Sequence, residues 1–355
     1  MNHLSKIAGK LAEYGLDAML ITGESCERYA LGFYGEGLLL VTAQGPHHYT
    51  TDGRYIEAAQ EQITGVEPGL ISRDNGHLEQ ARAFIEKRGL TNVGFESGAM
   101  TVDEHRRYAQ ELPCILTPAQ HLMDELRASK DEEEQSIMRR AQQITDEAFK
   151  AILSYIRPGM TEREIAARIV YELLRRGGEK VSFDPIVASG ANGSRPHAVP
   201  GDKVVETGEF ITMDFGCKVE GYCSDMTRTV ALGQPTEEME LVYETVLAAQ
   251  KAGINAARAG VSGREVDAAA RQVIADAGYG QYFSHSFGHS LGLDIHEAPY
   301  ASPSEDRLLP VGDMISAEPG IYIPGRFGVR IEDVLALKEG GCDVITRSPK
   351  NLIVL

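Results

Sequence analysis

Residues 211–230 decide the fold of this chain, and they read Ile-Thr-Met-Asp-Phe-Gly-Cys-Lys-Val-Glu-Gly-Tyr-Cys-Ser-Asp-Met-Thr-Arg-Thr-Val. Two runs rich in β-branched and aromatic residues flank a turn signal at residues 218–221, which is the pattern of a β-hairpin. Asp214 and Asp225 lie equally far from the expected turn centre between Val219 and Glu220, so a symmetric hairpin makes them cross-strand neighbours. Facing carboxylates repel each other unless a cation lies between them, and oxygen ligands suit divalent metals. The competing interpretation is two solvated aspartates on an exposed face.

A second hairpin is predicted over residues 315–334, which read Ile-Ser-Ala-Glu-Pro-Gly-Ile-Tyr-Ile-Pro-Gly-Arg-Phe-Gly-Val-Arg-Ile-Glu-Asp-Val. Pro324, Gly325 and Gly328 are its turn signals. Glu318 and Glu332 are equidistant from Gly325, so they too are predicted to face each other. The chain therefore contains two hairpins, each with a mirrored pair of carboxylates.

Both hairpins belong to an internal repeat. The matched segments are 159–165 with 260–266, 196–200 with 295–299, and 208–216 with 312–320. This alignment places Asp214 on Glu318 and His197 on His296. A helix, a histidine loop and an acidic hairpin thus occur twice at a period of about 100 residues, which is too long for a solenoid repeat. The repeat predicts a pseudo-twofold domain that brings four carboxylates together at its axis.

Composition sets the broad class of the protein. The 355 residues predict two or three domains, and the net charge of −17 argues against nucleic acid as a partner. No apolar run approaches the roughly 20 residues that span a membrane, and the N-terminal residues lack a signal-peptide core. The five scattered cysteines suit free thiols in a reducing cytoplasm, where we expect the protein to be located. Cys217 and Cys223 are interpreted as small hydrophobic residues of the first hairpin, in preference to metal ligands.

We predict two domains, residues 1–127 and residues 128–355. The first has the pattern of an α/β domain without evident chemistry. Its predicted helices are 4–14, 54–62 and 78–87, and its predicted strands are 16–21, 37–42, 47–51, 93–95 and 114–116. The second is predicted to be α+β, with four helices on a largely antiparallel curved sheet. Its helices should begin near residues 129, 161, 236 and 262, with capping boxes at Ser129 and Glu132, at Thr161 and Glu164, and at Ser262 and Glu265.

Four histidines accompany the acidic hairpins. His289 lies between Gly288 and Gly292, which allow the backbone to come close to a ligand. One histidine and four carboxylates can hold two divalent ions about 3.5–4 Å apart, with a bridging water whose pKa is lowered. A neighbouring carboxylate can act as general base, and the remaining histidines can stabilise an oxyanion. These residues predict a hydrolase of amide or ester bonds, in which His197, His285 and His296 accompany the metal site.

The five positions Asp214, Asp225, His289, Glu318 and Glu332, with their flanking motifs, resemble the pita-bread metallopeptidases. That family includes methionine aminopeptidase, aminopeptidase P, prolidase and creatinase, and the resemblance covers about residues 130–355. Residues 1–127 resemble the creatinase-type N-terminal domain of aminopeptidase P and prolidase, which methionine aminopeptidases generally lack. Creatinase does not use the five-ligand metal site, whereas all five positions are intact here. The resemblance therefore implies a pita-bread fold and an Xaa-Pro aminopeptidase or dipeptidase.

The resemblance also implies the metal ligands. Asp214 would bind one ion through both oxygens, Asp225 and Glu332 would bridge the two ions, and His289 and Glu318 would complete the shell of the second. Two divalent ions are implied, with manganese favoured and cobalt, zinc and iron(II) compatible with the same ligands. Candidate hydrogen-bond donors to the aspartates are Tyr222 and Thr227.

The remaining roles are carried over in the same way. Glu318 would also act as general base, and His296 would stabilise the tetrahedral intermediate. His197 would contact the substrate near the scissile bond, and His285 would line the proline side. Arg330 matches a family arginine near the metals and shares a strand face with Glu332, two residues further on.

The implied substrate is a proline-containing peptide, and the implied assembly is a homodimer. Ser290 follows the metal-binding histidine where prolidase and methionine aminopeptidase usually have glycine, which favours the aminopeptidase P interpretation. Three alternatives stay open: a strict Xaa-Pro dipeptidase, a non-catalytic peptide-binding member of the fold, and a creatinase-type amide hydrolase.

Overall fold

A computed structural model of the protein describes residues 2–355. The chain divides into two compact units, of which the first ends at Arg127 and the second comprises Ala128–Leu355. Each unit has its own sheets and its own buried apolar residues, and each is described by itself. In residues 2–355, no helix combines the length and the apolar character that a membrane crossing requires.

The first unit is an α/β domain built on one six-stranded sheet. Its helices are α1 Leu4–Lys10, α2 Glu24–Leu31, α3 Ile56–Gln62, α4 His77–Arg88, α5 Val102–Glu111 and α6 Gln120–Ala128, and a 3-10 turn spans Leu11–Tyr14. Its strands are β1 Ala18–Ile21, β2 Leu38–Thr42, β3 His48–Thr51, β4 Pro68–Leu70, β5 Asn92–Phe95 and β6 Ile115–Pro118. The strand order is β4-β3-β2-β1-β5-β6, in which β1–β2 and β2–β3 are antiparallel and the other pairs are parallel.

The predicted helices and strands of this unit are all present, but four further elements were not predicted. These are α2, β4, α5 and α6. Helix α5 buries none of its residues, and most of them are charged or polar, so few apolar residues mark it in the sequence. Strand β4 contains only Pro68, Gly69 and Leu70, which have the composition of a turn.

The second unit is α+β, with four helices. They are α7 Glu132–Leu153, α8 Glu162–Arg175, α9 Glu237–Ala256 and α10 Gly263–Asp276. The capping boxes of α8, at Thr161 and Glu164, and of α10, at Ser262 and Glu265, are confirmed. The capping box predicted for α7 is wrong by two residues, because the extended Asp131 accepts from the N–H groups of Glu133 and Glu134.

All strand pairs of the second unit are antiparallel, as predicted. The strands of its first half are β7 Lys180–Val181, β8 Ile186–Ser189, β9 Glu209–Asp214, β10 Cys217–Val219, β11 Tyr222–Cys223 and β12 Thr227–Leu232. Those of its second half are β13 Gly288–Ser290, β14 Glu297–Ala301, β15 Met314–Ala317, β16 Gly320–Ile323, β17 Phe327–Arg330, β18 Asp333–Lys338 and β19 Gly341–Val344. Single 3-10 turns span Gly190–Ser194 and Gly280–Tyr282.

The register of these strands confirms the internal repeat. The order β12-β9-β8 in the first half corresponds to β18-β15-β13 in the second. Ser189 pairs with Ile211 in one half, and Ser290 pairs with Ile315 in the other. The helix caps repeat too, because Thr161 bridges to Val204 just as Ser262 bridges to Leu308. The second unit is therefore a pseudo-twofold domain, and the two acidic hairpins occupy equivalent places in it.

Candidate metal centre

The first hairpin has a different register from the one predicted. Its tight turn is formed by Glu220 and Gly221, which both have positive φ, 48° and 82°. Val219 therefore pairs with Tyr222, and further along the hairpin Asp214 pairs with Thr227. The prediction that Asp214 directly faces Asp225 is wrong, because the turn lies one residue later than the midpoint of the two aspartates. Asp225 is two residues before the cross-strand partner of Asp214, and both aspartates are buried.

The second hairpin has the predicted register. Ala317 pairs with Asp333 on one side of a short break in the ladder, and Gly320 pairs with Arg330 on the other side. The same register across the break sets Glu318 opposite Glu332. Side chains two residues apart along a strand share a face, so Arg330 projects on the same side as Glu332.

Three candidate ligands from different segments converge on one point. One ligand atom from each of Asp225, His289 and Glu332 lies within 4.8 Å of the others. Nε2 of His289 is 3.2 Å from Glu318 Oε1 and 3.7 Å from Asp225 Oδ2. The Nδ1–H of the same ring donates to the Ser290 carbonyl at 3.1 Å, so Nε2 is the nitrogen that faces the carboxylates and that would bind a metal ion once it has lost its proton.

Asp214 is joined to this cluster through Arg330. Nη2 of Arg330 donates to Asp214 Oδ2 at 2.6 Å, and its Nε donates to the Thr227 hydroxyl at 3.0 Å. The Thr227 hydroxyl, predicted to donate to the aspartates, donates to Glu332 Oε2 at 2.7 Å. The prediction for Tyr222 is wrong, because its hydroxyl donates to Glu134 at 2.9 Å.

The carboxylates repel one another in a buried space. Burial raises the pKa of Asp225, and the charges of Glu332 and Asp214 raise it further. Burial and the charge of Glu318 likewise raise the pKa of Glu332, and burial raises that of Asp214 against the opposing charge of Arg330. Burial would also raise the pKa of Glu318, but the hydrogen bond and charge of His289 outweigh it and bring this pKa to about 2.

The donor set fits divalent cations. Among the described residues, Asp214 Oδ1, Asp225 Oδ1 and Glu332 Oε1 are buried oxygens without a hydrogen-bond partner. Buried anionic oxygens without a partner are costly, and a metal ion is one of the few groups that can compensate several of them at once. Carboxylates with one imidazole are ligands that manganese, iron, cobalt and zinc accept.

His285 is tied into a chain of hydrogen bonds that the sequence did not reveal. Its Nδ1 donates to the Ser286 carbonyl at 2.8 Å, so its Nε2 accepts from the Tyr322 hydroxyl at 2.8 Å. Tyr322 in turn accepts from Arg330 Nη1 at 2.9 Å. The one available signal was its position in the second hairpin, since Tyr322 shares a strand face with Glu318. Burial lowers the pKa of His285, which keeps the imidazole neutral in this chain.

The other two histidines lie at the exposed side of the cluster. The ring of His296 meets that of His289 edge-on, with centroids 4.4 Å apart. Burial and the neighbouring His289 lower the pKa of His296. A cavity of about 460 Å³ is lined by all nine predicted site residues, which are His197, Asp214, Asp225, His285, His289, His296, Glu318, Arg330 and Glu332. The structure thus brings the complete predicted set together.

Comparison with known proteins adds the family. Residues 136–339 match metallopeptidase family M24, and residues 3–129 match the creatinase/prolidase N-terminal domain. The chain is 40% identical to the peptidase YqhT of Bacillus subtilis (strain 168), over 99% of each chain. Among solved structures it is similar to an Xaa-Pro dipeptidase from Bacillus anthracis, with a TM-score of 0.95, 40% identity and 99% coverage of each chain. It is also similar to an X-Pro aminopeptidase from Thermotoga maritima, with a TM-score of 0.90, 35% identity and coverage of 96% and 98%.

These matches confirm the resemblance predicted from the sequence motifs, including the pita-bread fold of the second unit. The chain therefore belongs to metallopeptidase family M24, a family of enzymes, and carries the creatinase/prolidase N-terminal domain in front of the peptidase domain.

Proposed function

We propose that this enzyme cleaves the N-terminal Xaa-Pro bond of peptides with two divalent metal ions. The observation that carries the proposal is the set of three partnerless buried oxygens, on Asp214, Asp225 and Glu332, next to the directed Nε2 of His289. Similar proteins named as Xaa-Pro peptidases support the choice of bond.

Five side chains are proposed to hold the metals. Asp214, Asp225 and Glu332 would offer the partnerless oxygens, and His289 and Glu318 would add one nitrogen and one further carboxylate. When bound, such ions supply an activated water near neutral pH and polarise the carbonyl of the scissile amide. Manganese is the favoured identity, and cobalt, zinc and iron(II) are the alternatives, since the ligand set accepts them all.

The protein's own groups would then position the substrate and move protons. Glu318 is proposed as the general base: positive charge beside it, which His289 supplies in the metal-free site and metal ions would supply when bound, lowers its pKa and keeps its carboxylate available to accept a proton. His296 and His197 line the exposed side of the cavity and are proposed to hydrogen-bond the oxyanion and the substrate backbone, respectively. Arg330 holds Asp214 in place and, with Tyr322, orients His285 on the proposed proline side.

The wall of the cavity suits a proline ring. Apolar residues beside the histidines include Pro185, Ile186, Pro196 and Val199. An Xaa-Pro bond is a tertiary amide without an N–H, so an enzyme that cleaves it recognises the shape of the pyrrolidine ring and not a backbone donor. Val199 is 85% exposed, which places an apolar side chain at the mouth of the cavity where later residues of a peptide would pass.

The cavity offers few positively charged side chains to bind the carboxylate of a dipeptide, which favours longer peptides as substrates. The carboxylate of a dipeptide lies next to the scissile bond, and its recognition calls for a cation on the leaving-group side. Of the described residues that line the cavity, Arg330 is the one arginine and none is lysine. Its guanidinium is already bonded to Asp214, Thr227, Tyr322 and the Pro196 carbonyl. A strict dipeptidase is the second candidate function, supported by the Xaa-Pro dipeptidase among the similar structures.

Hydrolysis of Ala-Pro and Ala-Pro-Ala by metal-stripped enzyme, with and without added manganese, tests the proposal. We expect metal-dependent cleavage that is faster with the tripeptide. Cleavage of the dipeptide alone would establish the second candidate instead. If neither peptide is cleaved with any of the four metals, the Xaa-Pro assignment is wrong.

A homodimer and a cytoplasmic location are further parts of the proposal: the first rests on the family resemblance, and the second on the five free cysteines. Light scattering on the purified protein tests the first: a mass twice that of the 38.7 kDa chain is expected. Fractionation of producing cells tests the second.

A further inference from the structure

A buried lysine contacts two carboxylates that adjoin the segments carrying His289 and His296. The side chain of Lys130 is 1% exposed, and its Nζ lies 3.2 Å from Glu297 Oε2 and 3.5 Å from Asp313 Oδ1. Its backbone N–H donates to the Gly312 carbonyl at 3.1 Å, which anchors the lysine beside Asp313, the residue that directly precedes strand β15. Neither the proposed chemistry nor the sequence motifs account for this group.

One arm of the network leads to His289. Asp313 is fully buried, and its Oδ2 accepts from the hydroxyl of Ser290 at 2.9 Å. The same hydroxyl lies 2.7 Å from the Pro299 carbonyl, so Ser290 is held between strand β14 and the aspartate. The carbonyl of Ser290 accepts the Nδ1–H of His289, as described above. Lys130 is therefore connected to the orientation of the His289 ring through Asp313 and Ser290.

The second arm leads to His296. Glu297 directly follows this histidine, and its Oε1 accepts from the Asp294 backbone N–H at 3.0 Å. A Cβ placed on Gly292 would lie 2.8 Å from both carboxylate oxygens of Glu297, so the loop closes tightly over this side chain. The conformation of the segment between the two histidines thus depends on where Glu297 is held.

We propose that Lys130 is a positioning residue that holds Asp313 and Glu297 together and so fixes His289 and His296 relative to each other. The inference rests on the proposed roles of those two histidines. Buried ion pairs seldom make a protein more stable than apolar side chains of the same volume would. We therefore attribute this ion pair to the positions in which it holds the two carboxylates. Outer hydrogen-bond partners of metal ligands commonly act in this way.

The other half of the repeat supplies a matched control. There Lys203 Nζ bonds Glu209 Oε2 at 2.8 Å and the hydroxyl of Ser189 at 2.9 Å. Ser189 corresponds to Ser290 and Glu209 to Asp313, but the lysine and glutamate side chains are 28% and 21% exposed. The residue before Ser189 is Ala188, where the second half has His289. The lysine, carboxylate and serine of the first half therefore form a similar network that does not position a histidine, which makes Lys203 a control for Lys130.

Four variants separate positioning from general stability. Metal-free protein is titrated with manganese by calorimetry, and kcat is measured on Ala-Pro-Ala at saturating manganese. For Asp313→Asn we expect about 10–100-fold weaker manganese affinity, the usual effect of losing such a partner, with kcat within about threefold. For Glu297→Gln we expect kcat to fall by about tenfold, with affinity within about threefold. Lys130→Met should show both effects and Lys203→Met neither.

The outcome that overturns the inference is equal behaviour of Asp313→Asn and Glu297→Gln, or a Lys130→Met protein that matches Lys203→Met in both measurements. Should Lys130→Met fail to fold, the contrast between the two single carboxylate variants decides. His289→Ala serves as a separate reference: if it binds manganese as tightly as the parent, the proposed ligand set is wrong, whatever the lysine variants show.

Discussion

The two halves of the peptidase domain share a register but differ in what their strands carry. Strand β8 presents Ala188 where β13 presents His289, and the first hairpin sets Asp214 against Thr227 where the second sets Glu318 against Glu332. The scaffold is therefore symmetric while the chemistry is not. Asymmetry comes from single side chains at equivalent positions and from a turn that lies one residue off the midpoint of its aspartates.

The largest effect should come from making the second half resemble the first. His289→Ala removes the directed nitrogen and copies Ala188, and we expect kcat/KM on Ala-Pro-Ala to fall by about 10³-fold, or ~4 kcal/mol of transition-state stabilisation. Ala188→Ser, which alters the equivalent position of the first half, should stay within about threefold. Similar losses in both variants would contradict the asymmetric division of roles.

Metal and proton should compete for the carboxylates at the axis between the halves. Because the pKa values of Asp225 and Glu332 are raised, the metal-free folded state binds more protons than the unfolded chain above pH ~4, and its stability falls as pH rises through those raised values. Manganese must displace the same protons, so its affinity should increase from pH 5 to pH 7.5. At 100 times Kd, manganese should add ~2.7 kcal/mol to the free energy of unfolding. An affinity that does not change with pH, measured by calorimetry, would contradict this account.

A smaller effect is expected where the two hairpins meet. The hydroxyl of Thr227 in the first hairpin donates to Glu332 of the second and accepts from Arg330. Thr227→Val should lower kcat/KM by about 10–100-fold, as loss of a partner to a metal ligand commonly does. Thr212→Val is the control on the same hairpin, since Thr212 bonds Thr229 and no proposed ligand. Equal activity in the two variants would show that the contact between hairpins is dispensable.

The smallest expected effect concerns the turns. Gly221 has φ 82° and Gly325 has φ 71°, a region that alanine occupies at a cost of ~1–2 kcal/mol. We expect Gly221→Ala and Gly325→Ala to lower the free energy of unfolding by similar amounts in urea. Gly221→Ala should in addition reduce metal affinity, because its turn sets the register of Asp214 and Asp225. If the two variants bind manganese equally tightly, the strained turn of Gly221→Ala does not change the register of Asp214 and Asp225.

Much of this architecture could be predicted from the sequence, because the repeat pairs positions that no single motif connects. The match of His197 with His296 and of Asp214 with Glu318 predicted that the histidine loops and acidic hairpins meet, the family resemblance added Arg330, and all nine side chains line one cavity. The register of the first hairpin could not be predicted in this way. It depends on a turn at Glu220 and Gly221, and a positive φ is uncommon for glutamate. Tyr322 and Lys130 could not be predicted for another reason. A tyrosine in a strand and a lysine before a helix are common without any functional role, and only the contacts of these two residues link them to the site.

The repeat also has a consequence for how such a site can change over time. Of the five proposed ligands, Asp214 and Asp225 come from the first half and His289, Glu318 and Glu332 from the second. If the halves descend from a duplicated segment, neither copy was free to lose the ligands it contributes once these were shared, although each could change the side chains outside the ligand set independently. The division of one centre between two copies would thus have preserved the symmetry of the backbone while the side chains diverged.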